Sequence, residues 1–348
     1  MEKVHLLGFT EDEMKSFARE MGEAAFRGKQ IFRWIWRGAR DFSQMTDLPA
    51  GLREKLDETA CIGCLDVLDV QEDEKDGTRK FLFGLEDGNT VEGVFMKYRY
   101  GNSMCVSSQV GCKMGCKFCA SALGGFVRDL TAGEIADQIL SAERYTGEKV
   151  NHVVVMGMGE PLDNYDNLSQ FLRLLHEQGG KNMSYRNMTV STSGIVPAIA
   201  MFADDFPQVN LAVSLHRLTD IGRNSIMPVN RKYPVDELLS AADRYTEKTG
   251  RRVTFEYALI DGENDREEDV ELMIRKLRGK LCHVNLIPLN EVKETGLTGS
   301  SRRRAEEIAA ALNSAGIPAT VRRELGSKID GACGQLRRKA QEKQLPKI

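Results

Sequence analysis

Apolar runs and amphipathic stretches alternate along the chain, and the alternation changes character twice. From residue 10, TEDEMKSFAREMG places Thr10 ahead of acidic residues, the cap and first turn that a helix start favours. GKQIFRWIWRGAR follows with apolar residues at helical spacing, so residues 1 to about 50 predict short helices. Between about 60 and 97 the period shortens. There KFLFGLEDGNTVEGVFM reads as two strands joined through Asp87-Gly88-Asn89, a hairpin signal.

From about 103 to 325 the pattern becomes strand, then helix, repeated. SMCVSSQV, HVVVMGM, NMTVSTS, VNLAVSL, RVTFEYALI and HVNLIPLN read as strands, with PATVRREL as a further one. TAGEIADQILSAERYT, NYDNLSQFLRLLHEQ, IVPAIAMFADD, VDELLSAADRYTEKTG, REEDVELMIRKLRG and SSRRRAEEIAAALNSAG separate them as helices. Apolar strands alternating with amphipathic helices predict an α/β fold with a parallel sheet covered by helices. Six such units point to a barrel or partial barrel rather than a flat sheet. Polar residues cluster just after the strands: the cysteine loop, Gly159-Glu160, Ser191-Thr192-Ser193, Ser214-Leu215-His216 and Asn290. The carboxyl ends of strands are where such sheets carry their sites.

Composition changes this picture little. The chain has 348 residues, 41% hydrophobic and 28% charged, as a globular protein does. No run approaches the ~20 apolar residues of a bilayer span. The start MEKVHLLGFTEDEMK lacks the basic and apolar stretches of a secretory signal, which predicts a cytoplasmic protein with reduced thiols. A net charge of −3 gives no global attraction to polyanions, so nucleic acid would need local patches. Arg27, Lys29, Arg33, Arg37 and Arg40, interleaved with Phe26, Phe32, Trp34 and Trp36, form one candidate. Ile31, Trp34 and Ile35 of the same helix are expected to pack inward. Arg302, Arg303 and Arg304 form another candidate, to which Arg322, Arg323, Arg337, Arg338 and Lys339 would add if the fold brings them close.

The chemistry concentrates in Cys112, Cys116 and Cys119. Three thiols at CxxxCxxC spacing on one loop can hold a cuboidal 4Fe–4S cluster and leave one iron open. Structural zinc with a distant fourth ligand such as Cys105 is the alternative. Phe118, between the last two cysteines, would cover the cluster from solvent. In Met156-Gly157-Met158-Gly159-Glu160-Pro161-Leu162 the glycines permit close backbone approach, and Glu160 supplies an anion for an ammonium.

The cysteine loop and the GMGEPL loop together resemble the radical S-adenosylmethionine superfamily. In that superfamily the open iron chelates the cofactor, and an electron from the cluster yields a 5′-deoxyadenosyl radical. Nearly the whole chain is similar to the bacterial dual-specificity ribosomal and transfer RNA adenine C2-methyltransferases, through FRGKQIFRWIW, SSQVGCKMGCKFCA, GMGEPLDN, VSTSGIVP, AVSLH, NLIPLN and GSKIDGACGQL. The resemblance implies a partial (β/α)6-type radical SAM barrel at 98–328, a helical RNA-binding domain at 1–55, a β-hairpin linker at 56–97 and a tail at 329–348.

It also implies roles. Cys333 takes a methyl group from one S-adenosylmethionine, and the radical from a second abstracts hydrogen from that methyl. The carbon radical then adds to adenine C2, an electron-poor carbon closed to polar methylation. Cys105 resolves the RNA adduct through a transient disulfide with Cys333, and Glu92 is the proton acceptor. Gly159, Glu160, Ser191, Ser214, Leu215, His216 and Asn290 are the implied cofactor contacts. The implied substrates are 23S ribosomal RNA and transfer RNA, with flavodoxin or ferredoxin as reductant, no membrane, and a monomeric enzyme. Methylation at C8 is the alternative within enzymes, and a metal-stabilised RNA-binding protein without catalysis the alternative outside them. Cys61 and Cys64 read as ordinary thiols, and Cys282 as a packing residue.

Overall fold

The structure, a computed structural model, describes residues 3–63, 65–289, 296–323, 325–326 and 329. The chain begins with β1 (Val4–His5), α1 (Glu11–Glu20), α2 (Ala25–Trp36), α3 (Ala50–Thr59) and β2 (Ala60–Cys61), with β1 and β2 paired in parallel. Thr10 caps α1 as expected, its hydroxyl accepting from the Glu13 amide at 3.2 Å while Glu13 reaches back to the Thr10 amide. α2 lies so close to α1 that a Cβ on Gly28 would fall 2.4 Å from the Met14 carbonyl oxygen. Ile31 and Ile35 pack inward as expected, but Phe32 and Trp36 join them. Trp34 is half-buried, its Nε1 donating to Asp47. The aromatic residue that faces solvent is Phe26, 57% exposed, under the Arg27 guanidinium.

Next come β3 (Leu65–Asp73), β4 (Thr78–Leu85), β5 (Thr90–Tyr98) and β6 (Gly101–Val106), an antiparallel series. The turn expected at Asp87-Gly88-Asn89 joins β4 to β5. After β6 follow β7 (Gln109–Gly111), α4 (Ala120–Leu123) and β8 (Phe126–Asp129), in which β7 and β8 form a small separate ribbon. The strand–helix series is then α5 (Ala132–Thr146), β9 (His152–Val155), α6 (Tyr165–His176), β10 (Met188–Thr192), α7 (Val196–Asp205), β11 (Asn210–Ser214) and α8 (Asp220–Ile226). It closes with α9 (Val235–Thr249), β12 (Val253–Leu259), α10 (Glu267–Leu277), β13 (Cys282–Pro288), α11 (Arg302–Ser314) and β14 (Ala319–Val321).

One ten-stranded sheet runs β14-β13-β12-β11-β10-β9-β6-β5-β4-β3. It is parallel from β6 to β14, and among the described residues its edge strands β14 and β3 do not pair with each other, a partial barrel rather than a closed one. The hairpin strands continue the sheet of the strand–helix region. No helix among the described residues is long and apolar enough to cross a membrane.

The register sorts the strands' side chains onto two faces, because neighbours across a ladder point the same way and residues along a strand alternate. Val153, Val155, Val190, Leu211, Val213, Phe255, Val284 and Leu286 are buried in the main apolar core. On the opposite face Lys80 pairs with Val94, Val94 with Cys105, and Cys105 with Val154. Ser191 pairs with Ala212, Ser214 with Glu256, and Glu256 with Asn285 on that same face. This polar concave face is where a site can form.

Candidate active site

Cys112 stands just beyond β7, and Cys119 immediately precedes α4. The loop is pinned at both ends, the Cys112 amide donating to the Gly125 carbonyl at 2.9 Å and the Lys117 amide to the Ile226 carbonyl at 2.9 Å. Phe118 and Cys116 pack against Ile226, Met227 and Ile260. Burial above all, with a contribution from negative charge on Cys119, pushes the Cys112 thiol up to about 12. Cys116 is raised by the same causes. Burial therefore favours the protonated form of Cys112 and Cys116 where no cation is bound. A cationic iron cluster would offset that cost, and three thiols at this spacing on one short loop suit iron–sulfur chemistry.

The GMGEPL loop is joined to the cysteine strand through Gln109, whose Oε1 accepts from the Glu160 amide at 2.8 Å. Gly159 is required there: its φ is +105°, and a Cβ would lie 2.6 Å from the Gln109 Cβ. Glu160 is almost fully buried, and its carboxylate accepts from the Ser193 amide at 2.6 Å and the Leu162 amide at 3.1 Å. Burial raises its pKa, opposed by those hydrogen bonds. Its hydrogen-bond partners among the described residues include no cation. An α-ammonium group would complete this arrangement.

Ser191 and Ser214 are half-buried on the polar face. The Leu215 side chain lies in the apolar core, and its amide donates to the Glu256 carbonyl at 3.0 Å. His216 follows in a left-handed conformation, φ +55°. Its Nδ1 accepts from the Ala258 amide at 2.9 Å, which assigns the proton to Nε2. The ring stands edge-on to Phe118, centroids 4.6 Å apart. Burial, and then Arg223, push its pKa down to about 3, so the ring is neutral.

Arg223 escaped the sequence reading and organises this rim. Fully buried, its guanidinium donates to the carbonyls of Ser193 at 2.6 Å, Ser214 at 3.0 Å and Leu215 at 3.1 Å, and to Asn230 Oδ1 at 3.1 Å. It thus ties the ends of β10 and β11 together behind the site. Burial lowers its pKa to about 10, partly offset by the nearby Cys116 and Asp220. The cue available in the sequence was only the mixed character of DIGRNSI, amphipathic and otherwise unremarked.

Glu92 is not the solvated hairpin carboxylate that its position suggests. It is buried 3.0 Å from the ammonium of Lys80, another residue the sequence reading missed. Cys105, buried in β6, shares their face of the sheet. The Ser107 hydroxyl donates to the Glu92 carbonyl at 2.7 Å and accepts from the Met158 amide at 2.9 Å, linking this group to the GMGEPL loop. Glu256 and Asn285 were missed as well. They hydrogen-bond each other at 2.8 Å on the same polar face, and burial raises the Glu256 carboxyl. Their signal was the polar member at alternate positions of TFEYA and HVNLI.

Asn290, Cys333 and Cys64, like Arg337, Arg338 and Lys339, lie outside the described residues. Cys282 is buried, in line with a packing role. Arg302 and Arg303 face solvent but pair with Glu306 and Glu307, each at 3.0 Å, which reduces the field they present.

Residues 4–62 match the family described as the ribosomal RNA large subunit methyltransferase N-terminal domain, and residues 106–275 match the radical SAM superfamily. A probable dual-specificity RNA methyltransferase RlmN of Clostridium perfringens (strain 13 / Type A) is 50% identical over 96% of both chains. One from Clostridioides difficile (strain 630) is 48% identical over 97% of this chain and 98% of its own. The crystal structure of a radical SAM methyltransferase from Sphaerobacter thermophilus superposes with a TM-score of 0.92 at 44% identity, covering 95% of this chain and 98% of that one.

Proposed function

The chain belongs to the RlmN family of radical S-adenosylmethionine RNA methyltransferases, and from that premise we propose that it methylates C2 of one adenine in 23S ribosomal RNA and of an adenine beside the anticodon in transfer RNA. The ribosomal target would be the peptidyl transferase centre. The supporting observation is the shared polar face, on which Cys105, Lys80 and Glu92 stand in register with Ser191 and Ser214.

When bound, a 4Fe–4S cluster on Cys112, Cys116 and Cys119 and S-adenosylmethionine supply reductive sulfonium cleavage, and hence a radical that abstracts hydrogen. Two cofactor molecules serve each turnover, one of them as methyl donor. Glu160 holds an ammonium by charge, and Gly159 keeps its loop against β7. Ser191, Ser214, His216 and Asn290 contact the cofactor's ribose and adenine edges, with Leu215 adding backbone or apolar contact. His216 presents a neutral Nε2–H donor.

Cys333 carries the methyl group as a thioether, and the adenine is drawn out of its stack to meet it. Glu92 takes the proton from C2, and Lys80 holds that carboxylate on the reacting face. Once the odd electron of the adduct has left to the redox partner, the Cys105 thiolate would attack Cys333 sulfur; the S–C bond breaks, the leaving carbon takes a proton to become the methyl group of the RNA, and a transient disulfide remains. A flavodoxin or ferredoxin would deliver the electron, and the enzyme would act as a cytoplasmic monomer. Mass spectrometry of nucleosides from RNA treated with the reconstituted enzyme tests the reading. The expected product is 2-methyladenosine, and an exclusively 8-methyl product overturns it.

A further inference from the structure

A second group of ligating side chains converges away from the cysteine loop. His5 in β1 and Cys61 in β2 are direct partners across the parallel ladder, so their side chains leave the same face. Cys61 Sγ lies 3.1 Å from His5 Nδ1, and His5 Nε2 lies 3.3 Å from an oxygen of Glu86, in the turn after β4. Among the described residues, only these place three ligand atoms from His, Cys, Asp or Glu within 4.8 Å of one another. Cys61, an ordinary thiol by sequence, thus stands beside an imidazole and a carboxylate.

We propose that His5, Cys61 and Glu86 form a zinc site that clips the N-terminal unit to the β4–β5 hairpin. The donor set selects the metal. Thiolate, imidazole and carboxylate are all zinc ligands, whereas magnesium and calcium discriminate against thiolate. Three protein ligands leave a fourth tetrahedral position for water. His5 and Glu86 line a cavity of about 630 Å³ that also reaches Arg128 and Glu134, which gives the ion a path in. Glu86 is 61% exposed and free to swing from Nε2 toward the shared ion.

Binding forms an S–Zn bond as the S–H bond breaks, and the proton leaves to solvent. Burial and the Glu86 charge keep the Cys61 thiol protonated without metal, so zinc affinity falls in acid. The clip has a purpose in the fold. β1 and β2 pair over only two residues each, a weak attachment, and the hairpin that Glu86 adjoins carries Lys80 and Glu92. Fixing one to the other would restrict how the N-terminal unit moves relative to the reacting face.

The test uses the full chain with its cluster reconstituted, equilibrated with zinc, desalted, and assayed for zinc and iron. The wild-type chain is expected to retain one zinc beyond the iron cluster, and to melt higher with zinc than without. Cys61→Ser is expected to lose that zinc and the melting shift while its iron content is unchanged. Glu86→Gln alters only a half-open turn residue and should weaken zinc binding about tenfold or more. Equal zinc in wild type and both variants, or none retained by wild type, overturns the proposal.

Discussion

The ammonium of Lys80 lies 3.0 Å from a carboxylate oxygen of Glu92, with both side chains buried on the polar face of the sheet. A buried pair of this kind adds little net stability, yet breaking it is costly, about 3–5 kcal/mol, because one charge stays behind. Lys80→Met should therefore lower the urea midpoint strongly, and Lys80→Met/Glu92→Leu less so. Both should lose methylation. A single variant as stable as wild type would show that the pair is relieved by other groups.

The two cysteines outside the cluster loop divide the reaction between them. Cys333→Ala should leave RNA unmodified and never carry a methyl group, as read by mass spectrometry of the intact protein. Cys105→Ala should instead accumulate a covalent RNA–protein adduct, visible on a denaturing gel. Absence of any adduct would remove Cys105 from its resolving role.

Among the described residues Arg223 has no carboxylate hydrogen-bond partner, and its guanidinium serves three carbonyls at the ends of β10 and β11. Arg223→Met leaves those oxygens without their donor, a cost of about 1–3 kcal/mol for each one left unsatisfied. We expect weaker S-adenosylmethionine binding in equilibrium dialysis, by tenfold or more, with iron still bound. Arg223→Lys keeps the charge but not the planar fork, and should recover only part of the affinity. Unchanged affinity in Arg223→Met would make the residue a packing element alone.

His216 gives a pH dependence with a definite sign. Its folded pKa is about 3, below the ordinary 6.5, so the unfolded chain binds the proton more readily. Stability from the neutral ring is complete above about 6.5 and is lost as pH falls toward 3, at up to about 1.4 kcal/mol per unit. Urea midpoints at pH 7 and pH 5 should fall more for wild type than for His216→Gln. Parallel falls would contradict this.

Gly159→Ala is a test of the GMGEPL loop. The added methyl would sit 2.6 Å from Gln109 Cβ at a φ of +105°, so the loop must leave β7 and the Glu160–Gln109 bond must break. Loss of S-adenosylmethionine binding with retained iron is the expected calorimetric result.

Much of this arrangement was legible because strands and helices announce themselves by period. HVVV, NLAVS and VTFEYAL sit where apolar runs predicted them, and Thr10 caps its helix as its residue type requires. The cysteine loop was legible because three thiols at that spacing have few other uses. What stayed hidden were partnerships across the sheet. Nothing local in TRKFLFGL marks Lys80 as buried, since its counterion sits twelve residues later and meets it only through hairpin register. Arg223 carried no signal because its acceptors are main-chain oxygens from distant strands. Phe32 and Trp36 looked available for stacking because an aromatic residue does not declare which side of a helix faces inward.

The two faces of the sheet also divide evolutionary freedom. Positions such as Val190, Val213 and Phe255 are answerable to volume, whereas their immediate neighbours Ser191, Ser214 and Glu256 are answerable to whatever occupies the concavity. A lineage can thus retune its ligand by substituting every second residue of several strands while the melting behaviour of the scaffold stays nearly constant. One backbone can in this way host diverging chemistries without being refolded.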